Sequence, residues 1–194
     1  QPNSRWYSGA GIYRPATLWV GDAAHILLNG VRVRTLSVSP AKVEVTVKTS
    51  GPGAVKVEIC DGGKVVAETS ESDGKVVTAA TAESDGTVTM VLEVPDAKLW
   101  SVDTPCLYTC HVTFGGDECR ESFGIRSLSW GDKGFCINGE RVILQGACIH
   151  HDNGLLGAVC DVDAVERKVR LLRETGYNAL RSAHNPCSKV LLDA

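Results

Sequence analysis

The groups best suited to chemistry cluster toward the end of the chain, in the run His150-His151-Asp152 and in Arg181 with His184 three positions later. Imidazoles donate or accept hydrogen bonds and titrate near neutrality. A guanidinium is a fixed cation with donors only. A metal is one use of His-His-Asp, but the run lacks a spaced third ligand. No metal and no other cofactor is therefore expected. His151 reads as a loop residue, and Asp152 is open between a ligand contact and a cap for its loop. Arg181 falls within a strand, where a guanidinium is buried unless paired and then wants a carboxylate.

These residues need elements to position them. Phe135–Leu144 (FCINGERVIL) reads as a hairpin turning at Asn138-Gly139 and running on as an apolar strand to Cys148. Asp163–Gly176 reads as a helix. Asp163 caps it, Glu166 completes a capping box and Gly176 ends it. Val165, Val169 and Leu172 form its apolar stripe. Tyr177–Ser182 follows as a strand, and Pro186 precedes a second helix. Strand, helix and strand make a βαβ unit with parallel strands. His150 and His184 then follow adjacent strands, which lie about 4.8 Å apart, so the imidazoles can converge. Such a unit leaves sheet edges unpaired, and the expectation is that the chain is a piece of a longer protein.

The preceding residues read as β structure. Lys42–Lys48 (KVEVTVK) alternates valine with polar residues, as a strand with one wet face does. Ala54–Ile59, Lys75–Thr78, Thr87–Val94, Leu107–Phe114 and Glu118–Ile125 follow in that style. Asp61-Gly62-Gly63, Ser72-Asp73-Gly74, Ser84-Asp85-Gly86 and Gly115-Gly116-Asp117 supply turns between them. Short strands at regular spacing predict an antiparallel sandwich of immunoglobulin-like size, without the Cys…Trp…Cys pattern of a true immunoglobulin domain. Trp100 and Tyr108 belong to its core, with their polar tips seeking hydrogen bonds.

Composition narrows the alternatives. Hydrophobic residues make up 43% and charged residues 22% of the 194, with a net charge of −3. Nothing resembles a basic stripe for nucleic acid or a basic amphipathic helix for a membrane surface, and no apolar run is long enough to span a bilayer. The eight cysteines contain no CxxC pair. They read as reduced, mostly buried thiols, which favours a cytoplasmic protein. The chain begins at Gln1 without a signal peptide, so the true N-terminus is expected to lie elsewhere.

Four stretches carry a resemblance. Arg5–Arg14 (RWYSGAGIYR) resembles the end of the sugar-binding jelly-roll domain of glycoside hydrolase family 2, the β-galactosidase and β-glucuronidase family. Leu99–Tyr108 (LWSVDTPCLY) is similar to a stretch of its immunoglobulin-like domain. Phe123–Arg126 (FGIR) and Gly134–Gly146 (GFCINGERVILQG) resemble the junction into its TIM barrel. Asn178–Pro186 (NALRSAHNP) resembles the Asn-x-φ-Arg-small-small-His-(Tyr)-Pro signature, with Asn185 where tyrosine is usual.

The resemblance implies a mainly β chain: an immunoglobulin-like β-sandwich followed by the first βαβ unit of an incomplete (β/α)8 TIM barrel. Residues 1–20 would end the jelly roll, 21–127 would be the sandwich and 128–194 the barrel's opening. Arg5, Trp6 and Tyr7 would then be jelly-roll core in preference to a border of the site. The implied activity is retaining hydrolysis of terminal β-galactosides, with β-glucuronides or β-mannosides next. His150, His184 and Asp152 would support the substrate, and Arg181 would orient the nucleophilic glutamate. Both catalytic glutamates would lie beyond Ala194, because Glu140, Glu166 and Glu174 sit on the hairpin and outer helix, so this piece is expected to be inactive. The implied partner is a β-linked saccharide, in a homo-oligomeric parent. The competing reading is a carbohydrate-binding or adhesion sandwich without hydrolase activity, in which Arg181 and His184 would have no use.

Overall fold

The computed structural model of the chain describes residues 12, 14–68, 70–72, 75–77, 80–82 and 84–194. Most of the Arg5–Arg14 stretch, including Arg5, Trp6 and Tyr7, and the Asp73-Gly74 turn lie outside the described residues. Two compact units emerge. One covers Val20–Val142, and the other Ile143–Ala194 with the described part of the first nineteen residues.

Alternation of apolar and polar side chains builds the larger unit. Its strands are β1 (Ile26–Val38), β2 (Ala41–Thr49), β3 (Gly53–Asp61), β4 (Lys64–Glu68), β5 (Ser70–Ser72), β6 (Lys75–Val77), β7 (Ala80–Ala82), β8 (Thr87–Glu93), β9 (Tyr108–Phe114) and β10 (Asp117–Phe123). One antiparallel sheet runs β1-β2-β8 and a second runs β10-β9-β3-β4, with β7 also on β3. Val43, Val45 and Val47 of β2 share a single core with Val55, Val57 and Ile59 of β3 and with Cys110 and Val112 of β9. All are 0–1% exposed. Each such side chain contributes about 1.5–3 kcal/mol on burial, so period-two patterning on both sheets drives the sandwich.

The expected strands appear with small shifts at their ends, and β1 is an element the sequence reading did not single out. Its alternation is interrupted by register shifts between Ile26 and Val31 and between Thr35 and Ser37, which hide the period. Tyr108 is core, and its hydroxyl accepts from the Lys98 backbone N–H at 2.8 Å. Trp100 is half-buried, with the Arg126 guanidinium 4.5 Å above its ring.

All eight cysteines are free, but only Cys110 and Cys136 are buried; Cys148 is exposed and the rest are half-buried. The expectation of mostly buried thiols is corrected in that respect. Cys119 lies on the edge strand β10 and Cys60 at the end of β3, where the core does not close over them. Burial pushes the Cys110 thiol up to about 12, which makes it an inert packing residue.

A small sheet completes this unit: β11 (Leu128–Gly131), β12 (Gly134–Ile137) and β13 (Glu140–Arg141). Asn138 and Gly139 turn the β12–β13 hairpin at φ 53° and 82°, the left-handed pair that a tight hairpin requires. The strand expected to continue to Cys148 is two strands. β13 pairs with β12, whereas β14 (Gly146–Ile149) pairs with a strand further along the chain. The path must break between them because their partners differ.

The second unit contains that parallel pair, β14 with β15 (Ala179–Ser182), and two helices, α1 (Val162–Glu174) and the short α2 (Lys189–Asp193). The cap of α1 lies two residues before the expected position. Asp161, not Asp163, is the cap, and its Oδ1 accepts from Ala164 N–H at 3.0 Å. Asp163 instead sits in the first turn, where a negative charge suits the helix dipole. Among the described residues no helix is long and apolar enough to cross a membrane.

The sandwich core generates a stability prediction. Ile59→Ala should cost about 2–5 kcal/mol, whereas Val91→Ala, at a half-exposed side chain (51%), should stay within about 0.5 kcal/mol. Urea unfolding of the whole chain measures both. Equal costs would contradict the assignment of the core.

Candidate active site

Parallel pairing fixes the site. Gly146 lies opposite Ala179, Cys148 opposite Arg181 and Ile149 opposite Ser182. A Cβ at Gly146 would come within 2.3 Å of the Ala179 carbonyl oxygen, so only glycine admits this approach. Asn178 anchors the start of the pair. Its Oδ1 accepts from Gln145 N–H (2.8 Å), its Nδ2 donates to the Ile143 carbonyl (3.0 Å) and its backbone N–H donates to the Gln145 carbonyl (2.9 Å). At the other end, Ala183 N–H donates to the Ile149 carbonyl at 2.9 Å.

Because the strands run the same way, both C-terminal ends open on one side. His150 follows β14 and His184 follows β15, and their rings meet edge to face with centroids 5.4 Å apart. The convergence expected from the sequence is present. Arg181 lies on the same strand pair, and its Nη1 donates to Cys148 Sγ at 3.4 Å. Its side chain is exposed in this chain.

Asp152 is drawn toward the helix. Its Oδ1 lies 3.3 Å from Lys168 Nζ, and the same ammonium donates to the Asp152 backbone carbonyl. His151 accepts at Nε2 from Arg14 Nη2 at 2.9 Å. A cleft lies here, lined by His150, Asp152, Cys160, Lys168, Ser188 and Leu191 among others. The sequence reading missed Lys168 and Arg14. Lys168 had a signal, since it stands three residues after Val165 on the inward side of α1. Nothing local in the chain marks Arg14 as a partner of His151. Among the described residues no group of three or more His, Cys, Asp and Glu side chains is arranged to hold a metal ion.

The arrangement offers hydrogen-bond donors and a cation at the mouth of a parallel strand pair. Residues 24–126 match the family model for glycosyl hydrolases family 2, and residues 129–194 match the TIM barrel domain of the same family. The chain belongs to glycosyl hydrolases family 2.

Beta-galactosidase BoGH2A of Bacteroides ovatus is 36% identical over 203 residues, covering 100% of this chain and 24% of that protein. A putative beta-glucuronidase of Formosa agariphila is 30% identical over 199 residues, covering 100% of this chain and 19% of that one. The crystal structure of a family 2 member from Bacteroides cellulosilyticus DSM 14838 superposes with a TM-score of 0.87 at 35% identity, over 100% of this chain and 28% of that chain. The family 2 chain thus spans about a quarter of the length of these relatives. Its mainly β fold is an immunoglobulin-like sandwich followed by the start of a TIM barrel, whose first strands are β14 and β15.

The ion pair from α1 to the loop after β14 generates a local prediction. Lys168→Met keeps the apolar stem and removes the donors, and should lower the opening free energy of residues 151–153 by about 1 kcal/mol. Amide hydrogen exchange there should accelerate roughly fivefold, with β14 and β15 unchanged. Unaltered exchange in the loop would show that the pair does not hold it.

Proposed function

We propose that the full-length family 2 protein hydrolyses terminal non-reducing β-galactosides with retention of configuration, with β-glucuronides or β-mannosides as the next candidates. The observation that carries this reading is the contact of the His150 and His184 rings at 5.4 Å, just past the C-terminal ends of β14 and β15. TIM barrels hold their active sites at that end of the strands. Relatives named as a beta-galactosidase and a putative beta-glucuronidase support the substrate class.

Each group has a role in this reading. Retaining glycosidases use two carboxyl groups about 5–5.5 Å apart, one as acid/base and one as nucleophile. Here both come from glutamates of the longer protein. Glu166 and Glu174 ride the exposed surface of α1 and Glu140 belongs to the β12–β13 hairpin, so none of them supplies the pair. The 194 residues alone are then inactive. His150 and His184 donate to sugar hydroxyls, in bonds that strengthen as the ring flattens toward an oxocarbenium ion. Arg181 faces the nucleophilic carboxylate and keeps it ionised. Asp152, tied to Lys168, borders the sugar. The free thiols fit a reducing, cytoplasmic setting, and the whole protein works as a homo-oligomer.

A panel of aryl β-galactoside, β-glucuronide and β-mannoside tests the reading on the full-length protein, with the first-formed anomer followed by NMR. The β-galactoside should be cleaved fastest, releasing the β-anomer first, and His184→Ala should lower kcat by about 10²–10³. The α-anomer appearing first, or turnover by the 194-residue chain alone, would refute it.

A further inference from the structure

The two loops that present the imidazoles are themselves held together by a side chain from far away in the sequence. Arg14 Nη2 lies 2.9 Å from His151 Nε2, in the loop after β14, and 2.7 Å from the Pro186 carbonyl oxygen, in the loop after β15. The partners are 137 and 172 positions away along the chain. One nitrogen with two hydrogens thus reaches both loops, beside the two residues, His150 and His184, whose rings meet.

The chemistry of the contact is specific. A guanidinium has no lone pair to offer and can only donate. At 2.9 Å, therefore, His151 Nε2 is placed to accept, which calls for the tautomer with its proton on Nδ1. That bond fixes the tautomer and the plane of His151, and with it the backbone that carries His150. The bond to Pro186 restrains the backbone two residues past His184 in the same way. Both loops have further anchors. Lys168 holds the Asp152 carbonyl, and Ser182 Oγ donates to the Asn185 carbonyl at 2.5 Å. Those anchors each act within one loop or tie it to its own helix, whereas Arg14 joins the two.

We propose that Arg14 is a positioning residue for the glycosidase site, clamping the loops after β14 and β15 so that His150 and His184 meet the sugar in fixed geometry. The inference rests on the reading of His150 and His184 as sugar-binding groups. In this proposal Arg14 makes no contact with the sugar. Its effect passes through His151 and Pro186, and a small displacement of oriented groups is enough to lower the rate.

The test uses the full-length enzyme and the aryl glycoside it cleaves best, with kcat counted per active site titrated by a fluorosugar inactivator. Counting sites in this way removes any loss that comes from misfolded molecules. Arg14→Met keeps the stem and deletes the donors; it should lower kcat and kcat/KM together by about 10²-fold. Arg14→Lys restores the charge without the planar fork and should fall between wild type and Arg14→Met. The imidazole ¹⁵N spectrum should show His151 in the Nδ1–H form in wild type and a mixture of tautomers in Arg14→Met. If Arg14→Met does not fold, the Arg14→Lys enzyme decides: reduced kcat with a disturbed His151 spectrum supports the clamp, and wild-type values for both overturn it. Wild-type kcat in Arg14→Met likewise overturns the clamp while His184→Ala remains impaired. Wild-type kcat in His184→Ala instead removes the site reading beneath it, so the two failures are distinguishable.

Discussion

Parallel hydrogen bonding between β14 and β15 is the constraint on which the candidate site depends. Two strands that run in the same direction end on the same side, and residues that follow them are neighbours however far apart they stand in the chain. The register, with Cys148 opposite Arg181 and Ile149 opposite Ser182, sets which residues those are. A slip of one position would turn the side chains of β15 to the other face and separate Arg181 from Cys148. The glycine at 146 and the side-chain amide of Asn178 secure that register at the start of the pair. The ladder bond from Ala183 to Ile149 secures it at the end. Chemistry at the mouth is thus a consequence of backbone geometry set several residues earlier.

The sandwich follows a different logic. Its stability comes from valine-rich alternation packed between two antiparallel sheets. Tyr108 is instructive, because it buries a large ring and still satisfies its hydroxyl by accepting from the Lys98 backbone. Lys56 and Glu58 of β3, His111 of β9, and Glu118 and Arg120 of β10 lie on the wet side of the sheet. There His111 stands between Glu58 and Glu118, with its ring nitrogens 3.2 and 3.0 Å from their carboxylates. Hydrogen bonds from Lys56 and then His111 hold the Glu58 carboxyl below its ordinary range, and at this partly exposed site they adjust the surface without defining the fold.

What could be read from the chain divides along the same line. Alternation announced β2, β3, β8 and β9, because period two survives any tertiary context that leaves one face wet. It concealed β1, whose two register shifts break the period. The βαβ unit was legible from the helix stripe Val165, Val169 and Leu172, and with it the meeting of His150 and His184. The cap moved to Asp161 because aspartates at 161 and 163 offer the same chemistry and only the path of the incoming backbone chooses between them. Arg14 was hidden. Its bond to His151 crosses 137 positions and has no local pattern to announce it.

The central claim is that the ends of β14 and β15 form part of a sugar site. The most direct measurement is a crystal structure of the full-length protein with a non-hydrolysable β-glycoside analogue bound. The account expects sugar hydroxyls within hydrogen-bond distance of the His150 and His184 rings, and a carboxylate from the longer chain against Arg181. A saccharide seated in the enzyme's catalytic pocket beyond the reach of both imidazoles would contradict it.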